Sequence, residues 1–159
     1  MDTLAIDLRD LRRPTWTPEE AANAELVMDF VRLLMNEHEF DAVRERFGSG
    51  SYVQHNHSIA DGIEGVIATV SGFVRRFPDY AYDMKSVLVD DDMVVLHSHV
   101  TLRDSHRGNP RKGVNIMDRW RVEDGRLVEH WDAVQALDLF GRLHTLLAGG
   151  TVRNEHGSF

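Results

Sequence analysis

Asp118 stands in a run from Gly113 to Val122 that alternates apolar and polar residues, and a similar run from Arg126 to Val134 follows across Glu123-Asp124-Gly125. Two such runs around a short Asp-Gly loop predict a β-hairpin. A carboxylate on the apolar face of a hairpin is costly unless it is paired or hydrogen-bonded. Burial raises its pKa and strips its water, which suits it to remove a proton next to a carbonyl. What faces it depends on the loop. A two-residue loop at Asp124-Gly125 pairs Glu123 with Arg126 and sets Asp118 opposite Trp131. A three-residue loop with Gly125 left-handed pairs Val122 with Arg126, and then Asp118 faces His130, Trp120 faces Val128 and Ile116 faces Asp132. The second register is preferred because it gathers Ile116, Asp118, Trp120, Val122, Val128, His130 and Asp132 on one face. The other face, with Met117, Arg119, Arg121, Leu127, Glu129 and Trp131, is mixed and suits exposure or a dimer contact.

Nine histidines accompany this acid. His38, His106, His144 and His156 sit in polar or terminal stretches and read as surface residues. His97 and His99 share one face of the strand expected from Met93 to Leu102, by its period of two. They are expected to join Asp118 and His130 in one cavity. The catalytic roles then fall on Asp118, His130 and His97, with His55, Asn56, His99, Trp120 and Asp132 touching the substrate. The bland alternative, an Asp–His pair that only holds the sheet together, is the commoner use of such a pair. An H-x-H pair with His130 and an acid also has metal-ligand types. The spacing to His130 does not support that use, so no metal is expected.

Several elements must hold these residues. Thr17-Pro18-Glu19-Glu20 combines a capping box with proline at the first helical position, and an apolar stripe from Leu26 to Leu34 follows. A short helix is expected from Glu39 to Phe47, an extended segment from Ser51 to His57, and a helix opened by a second capping box at Asp61-Gly62-Ile63-Glu64 and stopped by Pro78. After Pro78 the period becomes strand-like, with strands from Tyr80 to Val89 and Met93 to Leu102 around Asp90-Asp91-Asp92. The tail from Ala136 carries a short apolar helix pattern. Helices first and antiparallel strands afterwards predict an α+β architecture, with an arm over residues 1–16, a domain over 17–135 and a tail over 136–159.

A formal charge of −8 disfavours nucleic acid and anionic membrane surfaces, which need clustered lysine and arginine. The chain has no cysteine, which removes disulfides and thiolate chemistry. Acidic residues interrupt the N-terminus and no apolar run approaches membrane length, so a cytoplasmic protein is expected.

Tyr52-Val53-Gln54-His55-Asn56, followed by Asp61-Gly62-Ile63-Glu64-Gly65, resembles the "QHN … DG-x-EG" segment of SnoaL-like proteins. The stretch from Asp118 to Asp132 resembles their "D-x-x-R-x-x-D/N-G-x-I-x-EHWD" ending. The resemblance implies the nuclear-transport-factor-like fold: a cone-shaped α+β barrel in which a strongly curved antiparallel sheet wraps around N-terminal helices, usually as a homodimer. It also implies a small apolar ligand bearing a carbonyl. In the polyketide cyclases of this family an aspartate serves as general acid and base for an intramolecular aldol closure, without metal or cofactor, and by motif that role falls on Asp118. Limonene-epoxide hydrolase shares the fold and activates water with an Asp–Arg–Asp set. Asp118 and Asp132 could match its acids, but Ile116 stands where its arginine is needed and His55 where it has an asparagine. His57 replaces the proline that commonly follows "QHN". The fold also hosts non-catalytic ligand-binding and accessory dimers.

Overall fold

The computed structural model describes residues 11–148. The expected arm up to residue 10 and the tail beyond residue 148, with His156, lie outside them. The first helix, α1 (Pro18–Val31), opens as its sequence predicts: Glu20 N–H donates to Thr17 Oγ1 (3.2 Å), and Thr17 N–H donates to Glu20 Oε2 (2.7 Å). The same rod continues into six residues of π-helix, Arg32–Glu37, which the apolar period did not announce. The wider turn ends at His38, left-handed at φ 58°. Asn36 there donates to the Tyr82 carbonyl (3.1 Å) and accepts from the Tyr82 N–H (2.8 Å), fastening the helix to the sheet. His38 is not a plain surface residue, since its Nε2 lies 3.1 Å from the carbonyl oxygens of both Met35 and Tyr80.

Two more helices follow, α2 (Phe40–Phe47) and α3 (Gly62–Arg76). Between them lies β1, Val53–Gln54, much shorter than the expected extended segment. The capping box expected at the start of α3 does not form at its acid: the Asp61 carboxylate instead accepts the backbone N–H of Gln54 (2.7 Å). The remaining strands are β2 (Ala81–Asp90), β3 (Met93–Thr101), β4 (Val114–Glu123) and β5 (Arg126–Ala136). They form a five-stranded sheet in the order β1-β5-β4-β3-β2, antiparallel except for β1 alongside β5. This is the α+β architecture expected from the order of periods. The inner face of the sheet, with Val94, Leu96, Val100, Trp120 and Val122, packs on Val27, Phe30, Val31 and Leu34 of the first rod and on Ile63 and Ile67 of α3. The last helix, α4 (Leu139–Ala148), sets Phe140 edge-on to Phe77 at 6.3 Å and leaves Leu139, Leu146 and Leu147 exposed.

The β4–β5 turn corrects the expected register. Asp124 (φ 50°) and Gly125 (φ 68°) are both left-handed, so the loop has two residues and pairs Glu123 with Arg126. The ladder then shifts between Arg121 and Val122: Val122 pairs with Leu127, but Arg121 pairs with Glu129. The extra residue, Val128, sits in a bulge within the strand rather than in the turn. Trp120 therefore faces His130, Asp118 faces Asp132 and Ile116 faces Val134. Each partner lies two positions further along β5 than expected, and a slip of two preserves the face. Only the residues before the bulge change sides: Leu127 is buried, while Val128 is half-buried. Gly125 has open space around its Cα, so Gly125→Ala should cost about 1 kcal/mol through the left-handed backbone alone. Urea unfolding of that variant measures it; an unchanged midpoint would show that the turn relaxes to another type.

Candidate active site

The bulge and the parallel strand β1, with the segment after it, bring five polar side chains together. Asp118 points from β4 into the core at 3% exposure. His130, one pair along the ladder on β5, reaches it diagonally, with Nε2 3.1 Å from Asp118 Oδ1. The other ring nitrogen, Nδ1, lies 2.9 Å from Gln54 Oε1. Gln54 is fully buried, and the parallel register Gln54↔His130 puts both side chains on the same side of the sheet. Asp132, directly opposite Asp118, accepts from Asn56 Nδ2 at 2.6 Å. The result is a chain Gln54–His130–Asp118 beside a pair Asn56–Asp132.

Aromatic rings enclose this chain. Trp120 lies under His130 with ring centroids 4.7 Å apart, and its Nε1–H donates to the Tyr52 hydroxyl (3.1 Å). Tyr52 in turn stacks parallel to His130 at 6.5 Å. Burial drives the Asp118 carboxyl above the usual aspartate range; the His130 hydrogen bond and charge oppose this, and Asp132 adds to it. Burial also pushes the hydroxyls of Tyr52, Tyr80 and Tyr82 well above the ordinary tyrosine value, so they stay neutral donors. Asp118 Oδ2, Gln54 Nε2 and Ser98 Oγ are buried without a hydrogen-bond partner among the described residues. Ser98 pairs with Ile116, next to the Leu96–Asp118 pair on the same face. Leaving such groups unsatisfied costs about 1–3 kcal/mol each, a cost that a polar ligand can remove.

The structure divides the expected site residues into two sets. Asp118, His130, Trp120, Asn56 and Asp132 come together. His97, His99 and His55 do not. His97 pairs with Met117 and His99 with Asn115, one position out of phase with Leu96 and Ser98, so both imidazoles lie on the outer face. There His97 Nε2 is 2.6 Å from Asn115 Oδ1 and His99 Nε2 is 2.8 Å from the Lys112 carbonyl. The sheet also separates His97 and His99 from His130, so a metal shared by these three, already disfavoured by their spacing, has no place here. His55 is also on the outer side, stacked on Trp131 at 4.6 Å with Nε2 2.8 Å from Glu129 Oε1. On the far side of the same indole lies the Arg119 guanidinium, 4.5 Å from the ring centre. Among the described residues, one ligand atom each of Asp118, His130 and Asp132 lies within 4.8 Å of the others, so this trio has the donor set for a divalent ion.

Gln54 and Tyr52 are the site residues that sequence reasoning did not assign. Their spacing of two was a signal, but the phase of a two-residue strand is visible only once its pairing with β5 is known. A separate surface hollow of about 470 Å³, lined by Arg76 to Asp79 and Leu102 to Ser105, shares none of these residues.

Helices cradled by a bent, mostly antiparallel sheet, with an acid–imidazole pair on the concave face, define an α+β barrel of the nuclear-transport-factor-like class. Within it, the family model for SnoaL-like polyketide cyclases matches residues 25–143, and the chain belongs to that family. Solved structures agree in fold. A protein from Jannaschia sp. CCS1 described as a candidate SnoaL-like polyketide cyclase is 19% identical, with a TM-score of 0.62 over 83% of this chain and 96% of that one. TsrD from Streptomyces laurentii is 22% identical, with a TM-score of 0.61 over 82% and 98%. Bal32a, from a soil-derived mobile gene cassette, is 20% identical, with a TM-score of 0.58 over 75% and 93%. No curated protein matches the chain by sequence. Among the described residues no helix is long and apolar enough to cross a membrane.

Proposed function

We propose that the protein is a small-molecule enzyme in which Asp118 moves a proton at the carbon next to a carbonyl, in an aldol cyclisation or an isomerisation. Family membership supports a cyclase or isomerase type of role. The observation that carries the specific chemistry is the buried Asp118 carboxyl, with Oδ1 held by His130 and Oδ2 without a partner among the described residues. In the step we infer, Oδ2 takes the proton from the ligand C–H, and the electron pair of that bond moves onto the carbonyl oxygen as an enolate. In an aldol closure the enolate carbon then bonds to a second carbonyl carbon, and Asp118 returns the proton to the new alkoxide oxygen. In an isomerisation the proton returns to a different carbon. The neutral Tyr52 hydroxyl, which accepts from Trp120 Nε1–H and keeps its own hydrogen to donate, stabilises developing oxygen charge without titrating. The ligand that fits is small, largely apolar and carbonyl-bearing.

Epoxide opening is the weaker alternative. Asp118 and Asp132 do oppose one another, but Ile116 is apolar and buried, and Arg119 and Arg121 are engaged on the outer face with Trp131 and Glu129. A non-catalytic ligand carrier is the other alternative. We further propose a cytoplasmic homodimer, with the outer sheet face around Met117 and Trp131 as its contact. Exposing the protein to a panel of ketones and 1,3-dicarbonyls in D2O tests the chemistry. Asp118-dependent deuterium incorporation next to the carbonyl is expected. Ligand-induced thermal shifts without exchange or turnover would favour the carrier.

A further inference from the structure

We propose that Gln54 is the positioning residue of this site: its side-chain oxygen holds the Nδ1 proton of His130, so that His130 Nε2 and Asp118 Oδ1 share a single proton and Asp118 Oδ2 alone meets the ligand. The orientation of the Gln54 amide is settled by its neighbours. Gln54 Oε1 lies 3.0 Å from the Asn56 backbone N–H, which can only donate, so that end of the amide is the oxygen. The Gln54 main chain is itself clamped, because its N–H donates to Asp61 Oδ1 (2.7 Å) and the next N–H, of His55, donates to the His130 carbonyl (2.9 Å). His130 Nδ1, 2.9 Å from that oxygen, must therefore carry hydrogen.

One proton then remains to be placed between Nε2 and Oδ1. With none there, two lone pairs would face each other at 3.1 Å; with two, two hydrogens would collide. The pair is therefore either imidazolium with carboxylate or neutral imidazole with carboxylic acid, and its net charge is zero in both forms. Among the described residues, Asp132 lies across the ladder from Asp118 and is engaged by Asn56, Tyr52 stacks on the imidazole, Tyr82 acts on Asp118 from β2 and Tyr80 from just before that strand. The rod and α3 present apolar side chains, Phe30, Leu34, Ile63 and Ile67 among them.

For the rate, this inference rests on the reading of Asp118 as the acid–base group. When Oδ2 takes a proton from a ligand, the pair passes from neutral to singly positive and so balances the enolate formed beside it. Without the Gln54 oxygen, the imidazole proton is free to settle on Nε2, which leaves the pair carrying the charge of the carboxylate. The Gln54 amide would then be an accessory to chemistry that it does not touch.

The test is nitrogen–proton correlation NMR of the histidine rings in the full chain across pH, combined with the exchange rates of the ketone panel. In the parent, Nδ1 of His130 is expected to stay protonated throughout, with Nε2 intermediate in character. Gln54→Met, of similar length without an acceptor, should bring the Nε2–H form of His130 and slow kcat for exchange by about a hundredfold, with KM little changed. Gln54→Glu should instead keep the Nδ1–H form and move the His130 Nδ1 proton downfield, because a carboxylate is a stronger acceptor than an amide oxygen. The Nε2–H form in the parent, or an Nδ1 proton unmoved in Gln54→Glu, would overturn the proposal, whether or not Gln54→Met folds. The expected NMR response together with no exchange in the parent would uphold the role of Gln54 and remove the enzymatic reading instead.

Discussion

Asp118→Asn is expected to keep the fold, to lose turnover by about 10²–10⁴-fold, and to unfold at a higher temperature than the parent at neutral pH. The loss follows because an amide cannot accept the ligand proton, while its shape preserves the packing between Leu96 and Asp132. The gain follows from burial. Asp118 is desolvated and its folded pKa is raised, so between the ordinary aspartate value and that raised value the native chain holds a proton that the unfolded chain has released. Stability therefore falls as pH rises through that window, and the parent carries the full penalty above it. Asparagine carries no such penalty, and its amide can donate to His130 Nε2. A gain on the order of 1 kcal/mol near pH 7, shrinking below the ordinary aspartate pKa, is the expected pattern in thermal melts across pH. A variant that is less stable at pH 7 than at pH 4, relative to the parent, would mean that the charged pair holds the fold together. Retained turnover would remove Asp118 from the chemistry.

Trp120→Ala is expected to lower stability by about 3–5 kcal/mol, enough to unfold many domains of this size. Trp120 is 1% exposed, lies edge-on to Phe30 at 6.3 Å, supports His130 from below and donates to Tyr52. Its removal leaves a cavity where helix, sheet and candidate site meet. Trp120→Phe keeps most of that volume and loses the N–H, so it should cost less, about 1–3 kcal/mol. A double-mutant cycle of Trp120→Phe with Tyr52→Phe isolates the hydrogen bond, for which a coupling near 1 kcal/mol is expected. No coupling would mean that water satisfies both groups equally well.

Much of the fold was legible because local rules agreed with the tertiary outcome. The Thr17–Glu20 capping box, the change of period after Pro78 and the presence of a hairpin at Asp124-Gly125, though not its loop length, each have a short-range cause. The site was legible only in part. Asp118, Trp120, His130 and Asp132 share a face because β4 and β5 alternate, and a two-residue error in register leaves that alternation intact. His97 and His99 also shared a face, correctly read as common to both. The alternate set Val94, Leu96, Ser98 and Val100 is the more apolar face of β3, and its pairing with β4 puts that set inside and the imidazoles outside.

Asp118 keeps its expected face and its imidazole, though by a diagonal contact beside a bulge rather than directly across the ladder. Its place on an apolar strand face was determined by sequence alone, because a period of two is a property of the single strand. Tertiary structure alone decided its partners. Val128 had to bulge, β1 had to align beside β5 and Asp61 had to seize the Gln54 backbone before a glutamine, a histidine and an aspartate could form one chain. Those contacts link residues far apart in sequence, and their geometry depends on how strands pair rather than on any one strand.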